Sequence, residues 1–366
     1  DPLNQPTTVT GGTTGRQTIN VVDPDYKFPT VLRGNIAMDH ELGFLGLMAT
    51  GEFIYTKTLK DILYKNLNYV PTGTLPDGRS IFSKSDSTLN DVLLLTNTDK
   101  GKSWSLSFKV ERPFKTFNVS GSYLYNRAYG INDGTSSVAK SNWGNNPAGL
   151  TPNDPPLARS RYDVGHRINF SASVPIKLFK GLKSNASIFF NGQSGFRYSM
   201  GYNTDVNGDA VTNNDLLYVP TSASDFVSVY TSTSGQSASW DQLNAIIEST
   251  AAKDYRGQIF PRYGGRAKWN NQLDIRYAIR IPMGEKMHAE ANIDVFNFLN
   301  LINRDWGWRY FGSFPSTNVI GYGGLDTAGK MKYNLSTINS STFQGAFTRD
   351  DLRSRAQAQF GVRFVF

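Results

Sequence analysis

The residues with the clearest capacity for chemistry lie in the stretch Asp205-Val206-Asn207-Gly208-Asp209-Ala210-Val211-Thr212-Asn213-Asn214-Asp215. Oxygen-bearing side chains at its first, third, fifth, ninth and eleventh positions (Asp205, Asn207, Asp209, Asn213 and Asp215) follow the spacing with which a loop wraps calcium. The pattern departs from an EF-hand twice: Ala210 replaces the turn glycine, and Leu216 stands where a bidentate Glu belongs. The competing reading is an Asx-rich surface turn, because Asn, Asp and Gly favour turns without any ion. No cofactor other than calcium is suggested.

The remaining chemical signals point away from an enzyme. Gly324-Leu325-Asp326-Thr327-Ala328-Gly329-Lys330-Met331 nearly spells a P-loop, but Met331 occupies the magnesium-binding Ser/Thr position and no strand–loop–helix context surrounds it. His40, His166 and His288 are far apart, and no G-x-S-x-G elbow occurs. The absence of cysteine excludes disulfides and thiolate metal sites. Ser239-Trp240-Asp241-Gln242 reads as a capping box opening a short loop helix that packs through Leu243, Ile246 and Ile247.

The elements that position these residues are strands. Met287, Ala289, Ala291, Ile293 and Val295 alternate with His288, Glu290, Asn292 and Asp294, and Phe296 and Phe298 break the polar register. The same period of two runs through Leu273–Ile281, Trp104–Val110, Phe117–Tyr125, Ile168–Val174 and Leu45–Tyr55. Runs of roughly 9–13 residues are long enough to cross a bilayer at a tilt, whereas soluble strands more often stop near 5–6 residues. Short turns at His40–Gly43, Arg112–Lys115, Pro175–Lys183 and Pro282–Glu285 alternate with long segments at 58–102, 127–164, 196–268 and 299–353. Short turns on one side and long loops on the other are the habit of outer-membrane barrels. Nine strands are therefore expected, near 30–40, 44–57, 103–112, 115–127, 165–175, 183–193, 270–282, 286–298 and 354–366, with residues 1–29 as an extracellular loop segment.

Composition agrees without deciding. A mean hydropathy of −0.39 is what alternating lipid-facing and lumen-facing positions average to. Aromatics at 13% suit strands and membrane girdles alike. No apolar run is long enough for a transmembrane helix, and Asp1-Pro2-Leu3-Asn4 is not a signal peptide. The net charge of +8 is scattered among 30 acids, which argues against nucleic acid and fits a rim facing anionic lipid. Charges such as Glu52, Glu111, Asp274, Arg276, Arg280, Glu290, Asp294 and Arg363 are expected to line a polar interior.

Several stretches, in one order along nearly the whole chain, resemble the Oar-like branch of the TonB-dependent outer-membrane receptors. They are Val22–Pro29, Leu94–Gly101, Ile131–Ser137, Pro156–Ser160, Asp163–Arg167, Asn191–Gly195, Asp205–Pro220, Tyr333–Thr337 and Asp350–Arg355. The resemblance implies an all-β transmembrane antiparallel barrel of about 22 strands, with residues 30–366 forming its C-terminal part. It also implies a plug domain, TonB-driven transport of a large or poorly permeant substrate, and a multi-pass place in the outer membrane of a Gram-negative bacterium. The alternative function is a non-transporting surface barrel acting as adhesin or scaffold, and a soluble sugar-binding β-protein is the third. Gln359-Phe360-Gly361-Val362-Arg363-Phe364-Val365-Phe366 resembles the signal by which the barrel-assembly machinery grips a last strand, with Gln359, Gly361, Phe364 and Phe366 as its marks. Expected partners are the N-terminal remainder of the barrel with its plug, TonB through that part, the assembly machinery, lipopolysaccharide and outer-membrane lipid. Nine strands descending first and ending inside need an odd number of further strands, 22 less nine leaving about thirteen. A split barrel cut in an extracellular loop is one expectation.

Overall fold

Alternating β-branched and aromatic residues pair across strands so that each face keeps one chemistry, and the computed structural model of the chain follows that rule. It describes residues 15–43, 46–114, 117–178, 182–212, 214–225, 227–228, 240–284, 287–312, 314, 316–334 and 348–366. Strands account for 55% and helices for 10%, so the chain is all-β in class. The strands of the main sheet and of the hairpin beside it begin with β1 (Gln17–Val22), β2 (Thr30–Leu42), β3 (Leu47–Asn66), β4 (Tyr69–Thr74), β5 (Ser80–Lys84), β6 (Leu89–Thr98) and β7 (Lys102–Pro113). They continue as β8 (Asn118–Gly130), β9 (Gly165–Lys177), β10 (Lys183–Gln193), β11 (Asn270–Pro282), β12 (His288–Phe296) and β13 (Gln357–Val365).

Nine of these form an antiparallel meander in the order β2-β3-β7-β8-β9-β10-β11-β12-β13, and each matches a strand expected from the alternation. Among the described residues β2 pairs only with β3, and β13 only with β12. Register carries one face through every strand. Ile36 opposes Phe53, Phe53 opposes Leu106, Phe108 opposes Tyr123, Tyr123 opposes Ile168 and Phe170 opposes Phe190. The same face continues through Ile188 with Ile275, Tyr277 with Ile293, and Ile293 with Phe360. Phe108 is 51% exposed, Phe364 56% and Phe360 77%, so this apolar band lies uncovered. It ends, toward the long connections, in a row of rings. Phe53 to Trp104 is 6.5 Å between centroids, Trp104 to Tyr125 5.2 Å, Tyr125 to His166 4.6 Å and His166 to Trp269 6.5 Å.

The opposite face is polar and cross-linked. Arg276 lies 3.5 Å from Glu290 and 3.4 Å from Asp294, and Thr50 donates to Asp39 at 2.6 Å. A 690 Å³ concavity takes lining residues from strands as distant as β3 (Met48) and β12 (Asp294), so the sheet curls with this polar face inward. Phe189 and Phe296 also line it, together with Met48, so charged and apolar side chains share this surface.

Two features lie outside the expected pattern. Residues 58–102 are not one long connector: β3 runs on to Asn66, and β6 pairs with that extension in the register β7 uses, Asp61 opposite Thr98 and Lys57 opposite Lys102. The two strands are one strand broken at Asp99–Gly101, where a Cβ on Gly101 would collide with Thr58. Alternation fades in the extension because loops pack on both of its faces, as at buried Leu63 and Leu93. The Thr/Gly/Pro-rich start also holds a strand, since β1 pairs in parallel with β6 from Gln17–Leu89 to Val22–Leu95.

The hydrophobic core is not in the meander. Among the described residues only Leu63 and Ala289 of the nine strands count as buried apolar side chains. The main cluster is built by the connections: Met200, Tyr202, Leu217, Leu243, Phe260 and Ile320 are all buried within it. The connections thus fold as a cap with its own interior.

Candidate functional site

The cap holds the Asp205–Asp215 loop. Asp205 accepts from the amides of Gly208 at 2.7 Å and Ala210 at 2.8 Å, and Asn207 Oδ1 accepts from the Asp209 amide at 2.9 Å. Ala210 has φ +60°, so the position where an EF-hand places glycine is left-handed here too. Asp209 is fully buried and accepts from the Val211 amide at 2.8 Å and from Asn214 Nδ2 at 3.0 Å. Burial, reinforced by the neighbouring Asp215 and Asp205 carboxylates, pushes its pKa up to about 7. Asp215 turns away to meet Arg79 Nη1 at 2.7 Å and the Val206 amide at 2.9 Å. Among the described residues no three Asp, Glu, His or Cys side chains converge on a metal-sized point. These carboxylates bind backbone amides, side-chain amides of the loop and one guanidinium, and the local amide contacts are those of Asx turns. Asn213 lies outside the described residues.

Arg79 ties this loop to the hairpin of β4 and β5. It is wholly buried, lies 3.2 Å from Asp77 and 2.7 Å from Asp215, and donates to the Leu216 carbonyl. Burial pulls its pKa down, but the Asp215 and Asp77 charges outweigh that and hold it above its ordinary value.

A second cluster surrounds Asp163. This buried carboxylate lies 3.1 Å from Arg197, 3.1 Å from Arg266, 3.3 Å from Arg159 and 3.8 Å from Arg127. Beyond it, Arg262 reaches the Ile131 carbonyl at 2.6 Å and Asn146 Oδ1 at 2.7 Å. Arg159, Arg197 and Arg262 line one 680 Å³ cavity whose other walls include Leu157, Ile259 and Phe260. Desolvation lowers the pKa of Arg197 and Arg262, and it brings Arg266 down to about 10 with help from the like charge of Arg197. Arginines drawn from 127 to 266 share no sequence spacing, so neither alternation nor motif spacing reveals this cluster. Arg159 and Asp163 stand out only within the stretches that carry the family resemblance.

The other sequence candidates fall in separate places. Gln359 and Gly361 of β13 oppose Asp294 and Asn292, and Phe364 opposes Ala289. Phe364 and Phe366 are exposed, and a Cβ on Gly361 would come within 2.6 Å of Asn292 Oδ1. The P-loop-like residues form a hairpin turn in which Lys330 N donates to Asp326 Oδ1 at 2.7 Å. The strands Thr317–Leu325 and Met331–Asn334 flank that turn. The three histidines sit on different strands, and His166 is within 2.7 Å of the Tyr123 hydroxyl. The expected loop helix spans Trp240–Ser249 and buries Leu243, Ile246 and Ile247. Its capping Ser239 lies outside the described residues. No helix among the described residues is long and apolar enough to cross a membrane, which says nothing of strands.

No protein-family model matches the chain, and no curated protein matches it.

Proposed function

We propose that the chain is wall and outer cap of an outer-membrane β-barrel that transports a large or poorly permeant substrate with TonB-supplied energy. The observation that carries this reading is the uncovered apolar band bounded by a row of aromatic rings. A contiguous apolar surface of that extent on a one-layer sheet needs a covering phase, and lipid with rings at its interface supplies it. The polar concave face then lines the lumen, and the cap lies outside the cell. The two edge strands, β2 and β13, await strands from the remainder of the barrel, since open edges in hydrocarbon leave backbone groups unpaired. That remainder would bring the plug and the contact with TonB. Calcium at Asp205, Asn207, Asp209, Asn213 and Asp215 is part of the same reading, and lipopolysaccharide is its lipid neighbour.

The chain has no cysteine, so single cysteines can be added without background. With a fluorophore at Phe170 or Phe360, nitroxide lipids are expected to quench emission and aqueous iodide to leave it intact. The reverse is expected at Ser171 and Gln359. Iodide quenching at Phe170 and Phe360 equal to that at Ser171 and Gln359 would end the membrane reading. A surface adhesin or scaffold is the second reading, favoured by the size of the folded cap. It predicts that loss of TonB leaves the protein's function unchanged, whereas the transport reading predicts that substrate passage stops while surface level stays constant.

The last strand makes a separate prediction. Deleting Phe366, or changing Gly361→Glu beside Asn292, is expected to lower the amount of protein in the outer membrane several-fold while synthesis continues. Unchanged surface levels in quantitative blots of membrane fractions would remove any assembly signal from β13.

A further inference from the structure

The arginine cluster around Asp163, with Arg159, Arg197 and Arg262 lining the cavity, has more positive charge than its surroundings neutralise. Arg127, Arg159, Arg197, Arg262 and Arg266 supply five cations, whereas Asp163 and Asp133 supply two anions, leaving an excess of three. Asp77 also lines the cavity, but its carboxylate is taken up by Arg79. Hydrogen bonding is incomplete as well. Arg197 Nε and Arg262 Nε are buried with no hydrogen-bond partner, and Arg159 Nη1 meets Asp163 without hydrogen-bond geometry. Buried donors in native proteins are nearly always paired, and a buried guanidinium without a matching anion is costly. The fork of an arginine suits an oxyanion in particular.

The rest of the wall is apolar. Leu150, Pro156, Leu157, Ile259, Phe260 and Pro261 line the same cavity. Its 680 Å³ lies within the range of small-molecule pockets. Leu157 is 40% exposed at its edge, and the Arg159 side chain is 26% exposed, so the charged wall is reachable from outside. Arg159 is also braced over the Tyr129 ring at 4.3 Å, which fixes its direction without consuming its donors.

We propose that this cavity binds a small amphipathic anion, its carboxylate or phosphate head on Arg159 and Arg197 and its apolar body along Leu157, Ile259 and Phe260. The inference is independent of the membrane reading, because the cavity belongs to the cap. Such a ligand would neutralise part of the charge excess and fill the apolar wall in one step. It would also draw together the connections that precede β9 and β11, since Arg159 comes from the first and Arg262 from the second.

The test uses the full-length protein purified in a neutral detergent and titrated calorimetrically with 4-phenylbutyrate, its neutral amide, and inorganic phosphate. The acid is expected to bind saturably and at least about tenfold more tightly than the amide, as loss of a charge-assisted contact implies. Arg159→Gln is expected to weaken the acid about tenfold and leave the amide unaffected. Phosphate competing with the acid identifies the head-group subsite, and phosphate binding as tightly as the acid would remove the apolar half of the proposal. Equal affinity for acid and amide, unchanged binding in Arg159→Gln, or no binding of the acid at millimolar concentration would overturn it. A thermal melt of Arg159→Gln matching the parent shows that any loss is at the site, and Arg159→Lys, which keeps charge but not the fork, is expected to recover part of the affinity.

Discussion

Arg79→Leu is expected to loosen the cap by about 3–5 kcal/mol, because it strands two buried carboxylates in place of one three-membered ion cluster. Asp77 and Asp215 side chains are 1% and 0% exposed, so water cannot replace the guanidinium without opening the structure. The change is readable as hydrogen exchange at the Tyr202 and Leu217 amides, which bond the Asp215 and Met200 carbonyls at 2.9 Å. Both are expected to exchange faster by orders of magnitude, while amides of β9 and β10 keep their rates. A double variant, Arg79→Leu with Asp215→Leu, is expected to recover part of the protection, since one stranded charge is gone. Exchange at Tyr202 and Leu217 unchanged in the single variant would mean that Arg79 does not hold the loop to the hairpin of β4 and β5.

Raising the pH from 4 to 8 is expected to destabilise the Asp205–Asp215 loop. Asp209 titrates near 7 in the fold against 3.8 for an ordinary aspartate, so the folded loop holds the proton more tightly than the unfolded one. The stabilisation is full below about pH 4 and is lost as pH climbs through 7, a span worth on the order of 4 kcal/mol. Asp209→Asn keeps the shape and removes that titration, so its stability profile is expected to be shallower over that window, what slope remains coming from Asp215, whose pKa burial also raises. The measurement is proteolytic cleavage within residues 203–220 as a function of pH, using a protease of level activity across the range. A parent protein with a slope no steeper than that of Asp209→Asn would refute the burial argument. Repeating the series with calcium separates the ion from the Asx turn: an ion held by Asp205, Asp209 and Asp215 restores protection at pH 8, and an Asx turn ignores it.

How far the sequence could be read follows from which forces leave a local trace. Each meander strand alternates because its two faces differ in chemistry, and the pattern survives in the letters of runs such as Leu273 to Ile281 as plainly as in the register itself. The extension of β3 past Lys57 and the strand β6 were hidden for the converse reason, since packing on both faces erases the alternation. β1 was hidden by composition, its six residues lying in a Thr- and Gly-rich stretch whose pairing partner is remote. The acidic loop was legible as a turn because Asx chemistry is local. Its anchor Arg79 was not, being 136 residues from Asp215. The arginines around Asp163 are the extreme case: Arg127 lies in β8, and only the folding of two connections onto that strand makes the others its neighbours.

The parallel pairing of β1 with β6 also orders events in time. Thr18 and Asp91 are 73 residues apart, whereas β2 meets β3 from the Leu42–Leu47 pair outward and β3 meets β6 from the Asn66–Leu93 pair outward. Closing a long loop costs entropy before any distant contact repays it. The β2–β3 and β3–β6 pairings are therefore expected to form first, and they leave the far edge of β6 open. The chain ahead of β2 then docks on that edge, β1 along β6, with β2 already on β3. Residues 23–29 cross between them, held by Asn97, which accepts from the Lys27 amide at 2.7 Å and donates to its carbonyl at 2.8 Å. The β1 strand is thus expected among the last of these pairings to form, and until it does, one edge of β6 stands open to any strand that finds it.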